Sequence, residues 1–313
     1  MDGDPRIHVT LEQLRRLEGP ARGLSFLPRQ PSGSVLNGRH ASRLRGRGLN
    51  FEEMRDYLPG DDIRSIDWKA TARTGSPYVR VFTEERDRPA LLVVDQRMTM
   101  FFGSELNMKS VTAAEAAALT SFRVLEAGDR VGGIVFDDDG QVELRPQRSR
   151  RAVHRLLETV TARNAALTAD REVQRRPGAL NSVLKSISRI AHHDHLVFVF
   201  SDFDGIDEQT HRHLKSVALH NDLILVLVYD PIAIRLRKSG RAVVGDHSLQ
   251  AELDLGSSST RSALEAYSNA RLDRIRDWQA EINLSVLPLS AGLETLPQVR
   301  QLLGRYGGAR RAR

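Results

Sequence analysis

Three carboxylates stand where chemistry could be done. Asp95, Asp202 and Asp230 each close a short apolar run: LLVVD (91–95), LVFVFSD (196–202) and LILVLVYD (223–230). A run that is apolar along its whole length reads as a strand buried on both faces. In sheets built from such strands the functional edge lies at their carboxyl ends. Carboxylates gathered there suit a hard cation such as Mg²⁺, which takes oxygen ligands. With Asp204 added, Asp95 and Asp202 could also form the acidic cluster of a metal-dependent nuclease or phosphohydrolase. Arg97 stands two residues after Asp95, and Thr99 two further on. A guanidinium at that spacing repels a cation, and it can itself pair with Asp95 or Asp202.

Other motifs carry less. FGSELNMKS (102–110) has the flavour of a phosphate loop but lacks the second glycine before Lys109, so it reads as a loop leading into a helix. HHDH (192–195) sits where a helix ends before a strand, a place the helix dipole favours for histidine. DDDG (137–140) is most simply a hairpin turn. No Gly-x-Ser-x-Gly elbow occurs. The chain has no cysteine, which excludes disulfides, thiolate metal sites and a cysteine nucleophile.

The elements that must hold these acids follow from the pattern. After Pro89 the order is strand 91–95, a helix opened by a capping box at Thr112–Glu115 and stopped at Gly128, then strands 131–136 and 141–145. The DDDG turn is too short for a crossover, so those two strands should pair antiparallel. Helices over 149–160 and 181–193, strand 196–202, a helix over about 207–219 and strand 223–230 come next. A hairpin insertion at about 236–255, a helix over about 259–281, strand 285–289 and a last helix from Thr295 complete the chain. Strands separated by helices run parallel and are covered on both faces. The expected fold is a doubly wound, mostly parallel α/β sheet with one antiparallel edge strand, over residues 89–313. Residues 1–88 read as a small module of loops and short strands, with its clearest strand in SPYVRVFTEE (76–85).

That module contains DYLPGDDIRSIDWKATARTG (56–75). We read it as a charged clasp, structural first and interacting second. Pro59 and Gly60 suit a tight turn. Asp61 and Asp62 can cap backbone N–H groups. Arg64, Lys69 and Arg73 are spaced to meet acids such as Asp67, Glu84 and Glu85. Arg55 and Tyr57 complete the stretch at its front. Trp68 is its large apolar anchor and is expected to be buried, with its indole N–H bonded. Catalysis would need a base, a nucleophile and a pocket, and no histidine lies here.

FEEMRDYLPGDDIRSIDWKATARTGSPYVRVFTEER resembles the signature of the bacterial "domain of unknown function 58" family, whose proteins carry a von Willebrand factor A-like domain. The hairpin after the second strand, Asp95 and SDFDG (201–205) resemble that domain. The resemblance implies a metal-ion-dependent adhesion site, normally Asp-x-Ser-x-Ser completed by a threonine from another loop. Asp95, Thr99 and Asp202 match it. Arg97 replaces the first serine, and the loop from Arg176 to Leu184 offers Gly178 or Ala179 in place of the threonine. The site is therefore expected to be degenerate, with no cofactor, or Mg²⁺ held weakly. The resemblance also implies work beside a MoxR-type AAA+ ATPase, as a non-enzymatic adaptor in assembling or maturing protein complexes, with client proteins as further partners.

Composition narrows the field. The 313 residues are 40% hydrophobic and carry a net charge of +6, with 46 bases against 40 acids, so charge of both signs is spread through the chain. The basic excess lies at the ends, in Arg39, Arg43, Arg45 and Arg47 and in Arg310, Arg311 and Arg313. Such clusters can attract nucleic acid. Few aromatics are interleaved to stack bases, and nucleic acid ranks last among the partners. The longest apolar runs fall short of the roughly 20 residues a bilayer needs, and residues 1–30 lack an apolar signal core. The expected location is cytoplasmic, with membrane-associated partners still compatible.

Overall fold

A computed structural model describes residues 4–22, 24, 49–58, 61–84, 89–170, 176, 178–233, 241–246, 249–254, 257–282 and 284–307. The chain forms two compact units: Met1–Pro31 together with Arg88–Arg313, and Ser32–Asp87.

The larger unit opens with two short helices, α1 (Leu11–Arg16) and α2 (Glu18–Ala21). The smaller unit pairs β1 (Leu49–Asp56) antiparallel with β2 (Tyr78–Glu84), with α3 (Trp68–Thr74) between them. A 3-10 turn, Ile63–Ser65, precedes α3. Gly75 ends α3 in the left-handed conformation, φ 79°, which costs a glycine little.

The larger unit continues with β3 (Ala90–Asp95), α4 (Lys109–Glu126), β4 (Val131–Phe136), β5 (Gln141–Gln147), α5 (Arg150–Ala165), α6 (Ala179–Ile190), β6 (Leu196–Ser201), α7 (Glu208–Ala218) and β7 (Asp222–Tyr229). Then come the hairpin β8 (Arg241–Asp246) and β9 (Leu249–Asp254), α8 (Ser258–Ile282), β10 (Ser285–Ser290) and α9 (Thr295–Gly307). The main sheet has the order β10-β7-β6-β3-β4-β5. All its pairs are parallel except β4 with the edge strand β5. This is the expected α/β sheet with its antiparallel edge.

Alternation along the strands makes two cores. Leu92 and Val94 face one side with Phe198, Phe200 and Val226, under α1, α2, α4, α5 and α9. Leu91 and Val93 face the other with Val197, Val199 and Leu225, under α6, α7 and the end of α8. Helix α4 is buried nearly all round, and its alanines allow close approach on several sides. Gly132 and Gly133 allow similar closeness in the sheet. A Cβ on Gly132 would lie 2.5 Å from the Leu144 carbonyl, and one on Gly133 2.5 Å from the Leu92 carbonyl.

Two expectations need correction. Residues 9–24 do not belong with the front module: Val9, Leu14, Ala21 and Leu24 are buried in the core of the larger unit. Helix α4 begins at Lys109, not at a capping box on Thr112, whose side chain is fully buried. The backbone N–H of its N-cap residue, Met108, donates to the Arg6 carbonyl at 2.8 Å, so the N-terminal segment anchors this helix entry.

Candidate functional site

Parallel pairing brings the ends of β3, β6 and β7 side by side. Asp95 ends β3, and Asp202 and Asp230 follow β6 and β7 directly. All three are buried. Burying a carboxylate is tolerable only when it is paired and hydrogen-bonded, and the partners decide what the site can do.

Arg97 lies on Asp95. Its Nε donates to both carboxylate oxygens at 3.1 Å, and its Nη2 donates to Oδ2 at 2.7 Å. The backbone N–H of Arg97 adds a bond to Oδ1 at 2.9 Å, and the Ser201 hydroxyl adds one to Oδ2 at 2.6 Å. The guanidinium is 3.7 Å from Asp202, donates to the Asp204 carbonyl and lies 5.6 Å from the centre of the Phe136 ring. Lys109, at the first position of α4, reaches Asp202 at 2.6 Å. Arg271 of α8 pairs with Asp204 at 3.3 Å.

Charge and burial oppose each other here. Burial alone would raise the Asp202 pKa, but Lys109, Arg97 and Arg271 more than offset it and hold the carboxyl well below the usual range. Burial would lower the Arg97 pKa, but Asp95, then Asp202 and Asp204, drive it above the ordinary arginine value. One divalent cation could balance Asp95 and Asp202. In this chain a guanidinium and an ammonium supply the same two positive charges.

A strained turn follows the carboxyl end of β6 and leads into α7. Phe203, buried, has φ 54°, and Gly205 has φ 75°. A non-glycine residue held in this region costs on the order of 1–3 kcal/mol. The turn is held by the Phe203 N–H on the Ser201 hydroxyl at 2.9 Å and the Asp204 N–H on Asp202 at 3.0 Å. The β4–β5 turn also reaches the site: Asp138 accepts the Met98 N–H at 2.6 Å. Burial raises the Asp138 pKa, partly countered by that bond and by Arg97. DDDG is thus a hairpin turn that also fixes the segment after Arg97.

The remaining candidates fall in different places. The Thr99 hydroxyl is buried and makes no hydrogen bond with a described residue. Gly178 is the N-cap of α6 and provides no side-chain bond. With Arg97 across Asp95 and Lys109 on Asp202, the donor set as arranged does not fit a divalent cation. Asp230 is turned to structural use, accepting the Ser104 N–H at 2.7 Å and the Ile232 N–H at 2.9 Å. His195 lies just before β6, its Nδ1 2.8 Å from the His193 carbonyl, and burial lowers its pKa. Sequence reasoning missed Lys109 as a partner of Asp202, a contact made only when the start of α4 is brought against the end of β6. It also missed Asn164, fully buried, which accepts the Val9 N–H at 2.8 Å and donates to Gln96 at 2.9 Å beside Asp95.

In the smaller unit the acids hold backbone. Asp61 accepts the Leu58 N–H at 2.9 Å, Asp62 the Arg64 N–H at 3.0 Å, and Asp67 the N–H groups of Lys69 and Ala70. The Tyr57 N–H donates to the Pro77 carbonyl at 2.9 Å. Trp68 corrects the expectation of burial: it is 65% exposed, alongside Leu58 at 58% and Ile63 at 61%. As the first residue of α3, it points away from the face on which Ala70 is buried. Arg64, Lys69 and Arg73 are exposed as well. Pro59, Gly60 and Glu85, the side chains of Arg55 and Glu84, the arginines at 39–47 and those at 310–313 lie outside the described residues.

Among the described residues no helix is long and apolar enough to cross a membrane. The chain belongs to the family described as "Protein of unknown function DUF58", which matches residues 53–274. It is similar to the uncharacterized protein Rv1480 of Mycobacterium tuberculosis, 29% identical over 231 residues, which are 74% of this chain and 71% of that protein. The uncharacterized protein Mb1516 of Mycobacterium bovis matches at the same identity and coverage.

Proposed function

We propose that this DUF58 family member is a non-enzymatic adaptor built on a von Willebrand factor A-like domain with a degenerate adhesion site. It docks on a MoxR-type AAA+ ATPase and helps it act on protein clients in the cytoplasm. The observation that carries this reading is the filled strand-end site. Asp95, Asp202 and Asp204 each pair with a cation of the same chain. A hydrolase of the two-metal kind needs those carboxylates open to metal and substrate, so the nuclease or phosphohydrolase alternative loses support. The strand edge serves instead as a rigid, internally neutralised platform.

The exposed Leu58, Ile63 and Trp68 give the reading its contact surface. Large apolar side chains grouped in one short stretch and ringed by charge are typical of interaction sites. Tryptophan and arginine are over-represented among residues that dominate binding energy. The segment thus works first as a docking element, with its aspartates shaping the backbone that presents Trp68. The test is binding between the purified chain and a purified MoxR-type ATPase from the same organism, with and without ATP. A stable complex that leaves the chain itself without ATPase or phosphodiesterase activity supports the proposal. Absence of a complex in both nucleotide states, or hydrolysis lost on Asp95→Ala, overturns it.

A further inference from the structure

A second surface, on the larger unit, calls for a partner of its own. Edge strand β5 and helix α5 border a groove of about 300 Å³. Arg145 from β5 and Arg155 from α5 both line it, over a floor that includes Leu144 and Ala152, both partly exposed. Both arginines are exposed, as is Arg151 on the same helix. Surface ions nearby are paired: Arg150 with Glu18 at 2.9 Å, Arg189 with Glu143 at 2.7 Å, Arg15 with Glu158 at 3.7 Å. Arg145, Arg151 and Arg155 make no ion pair with a described residue. Guanidiniums without an ion pair among the described residues, lining one groove with partly exposed Leu144 and Ala152, are an arrangement that a carboxylate-bearing ligand completes, since each guanidinium can donate two parallel hydrogen bonds to a carboxylate.

We propose that this groove binds an acidic, partly apolar segment of another protein, with Arg145 and Arg155 holding its carboxylates and the floor taking its apolar side chains. Simple strand addition is a poor alternative, because Pro146 lacks an N–H and the pairing of β4 with β5 is irregular between Val131 and Gly133. Recognition therefore falls to side chains. A nucleic acid fits less well. No aromatic ring lines the groove to stack a base. The inference does not depend on the ATPase-adaptor reading, because it concerns a different surface and a defined ligand.

The experiment is fluorescence anisotropy with a labelled peptide of alternating glutamate and leucine. Its glutamine-for-glutamate analogue and a short single-stranded DNA serve as comparators, at low and high salt. Saturable binding of the glutamate peptide, weakened by salt, absent for the glutamine analogue and reduced about tenfold by Arg145→Ala with Arg155→Ala, is expected. Binding unchanged in the double variant, or tighter binding of the DNA with the same arginine dependence, overturns the proposal. No saturable peptide binding also overturns it. If the double variant melts early, Arg145→Gln and Arg155→Gln, which keep the polar stem, carry the same comparison.

Discussion

Replacing Arg97 by serine removes a guanidinium that is 3% exposed and leaves Asp95, fully buried, without its counterion. Asp202 keeps Lys109 and loses its second cation. Breaking a buried pair by removing one partner costs about 3–5 kcal/mol, because the charge left behind stays buried. In a unit of this size a loss of that order lowers Tm by roughly 6–20 °C. The assay is a thermal melt followed by circular dichroism, on wild type, Arg97→Ser, Asp95→Asn and the double variant. Asp95→Asn with Arg97→Ser should cost much less than the two single losses added, since the pair is removed together. Arg97→Ser within about 0.5 kcal/mol of wild type, the range of an ordinary surface change, would refute the view that the guanidinium is the built-in counterion of this site. Additive losses in the double variant would refute it too.

Other outcomes follow from the same contacts. Titration calorimetry of the wild-type protein should find Mg²⁺ binding weaker than about millimolar, given an arginine in the ligand shell; a micromolar site lost on Asp95→Ala would reverse that. The Asp202 pKa is depressed on folding, so its stabilising contribution is complete above the unfolded carboxylate range near pH ~3.9 and is lost as pH falls through the lower folded value. Lys109→Met weakens that depression, so acid unfolding of the variant should begin at higher pH than in wild type, read from melts across the acid range. Trp68→Ala should change stability by no more than about 0.5 kcal/mol, since the ring is mostly exposed. A loss of several kcal/mol on denaturant melting would restore the buried-anchor reading.

The sheet was legible because parallel strands buried on both faces write themselves as unbroken apolar runs, and Asp95, Asp202 and Asp230 mark their ends. The short DDDG turn was enough to make β4 and β5 antiparallel. That Arg97 would pair with Asp95 or Asp202 could be read from the sequence, since Arg97 and Asp95 lie in one short segment, but the choice between the two acids could not. Lys109 could not, because its meeting with Asp202 depends on how α4 crosses β6, a tertiary fact. The turn at Phe203 was hidden for the opposite reason: left-handed backbone at a phenylalanine contradicts its local preference. Helices α1 and α2 are too short to announce themselves by periodicity and owe their stability to packing of Leu14 and Ala21. Trp68 misled because a lone large aromatic in a polar stretch fits a core anchor and a docking residue equally well. Only its exposure separates them.

The adaptor claim is tested most directly by hydrogen–deuterium exchange of the purified chain with and without an ATP-loaded MoxR-type ATPase. Exchange over 56–75 should slow, an effect abolished by Trp68→Ala, while the β3–β6 edge around Asp95 and Asp202 keeps the same protection in both states. No change over 56–75 on adding the ATPase, or a change that persists in Trp68→Ala, would contradict it.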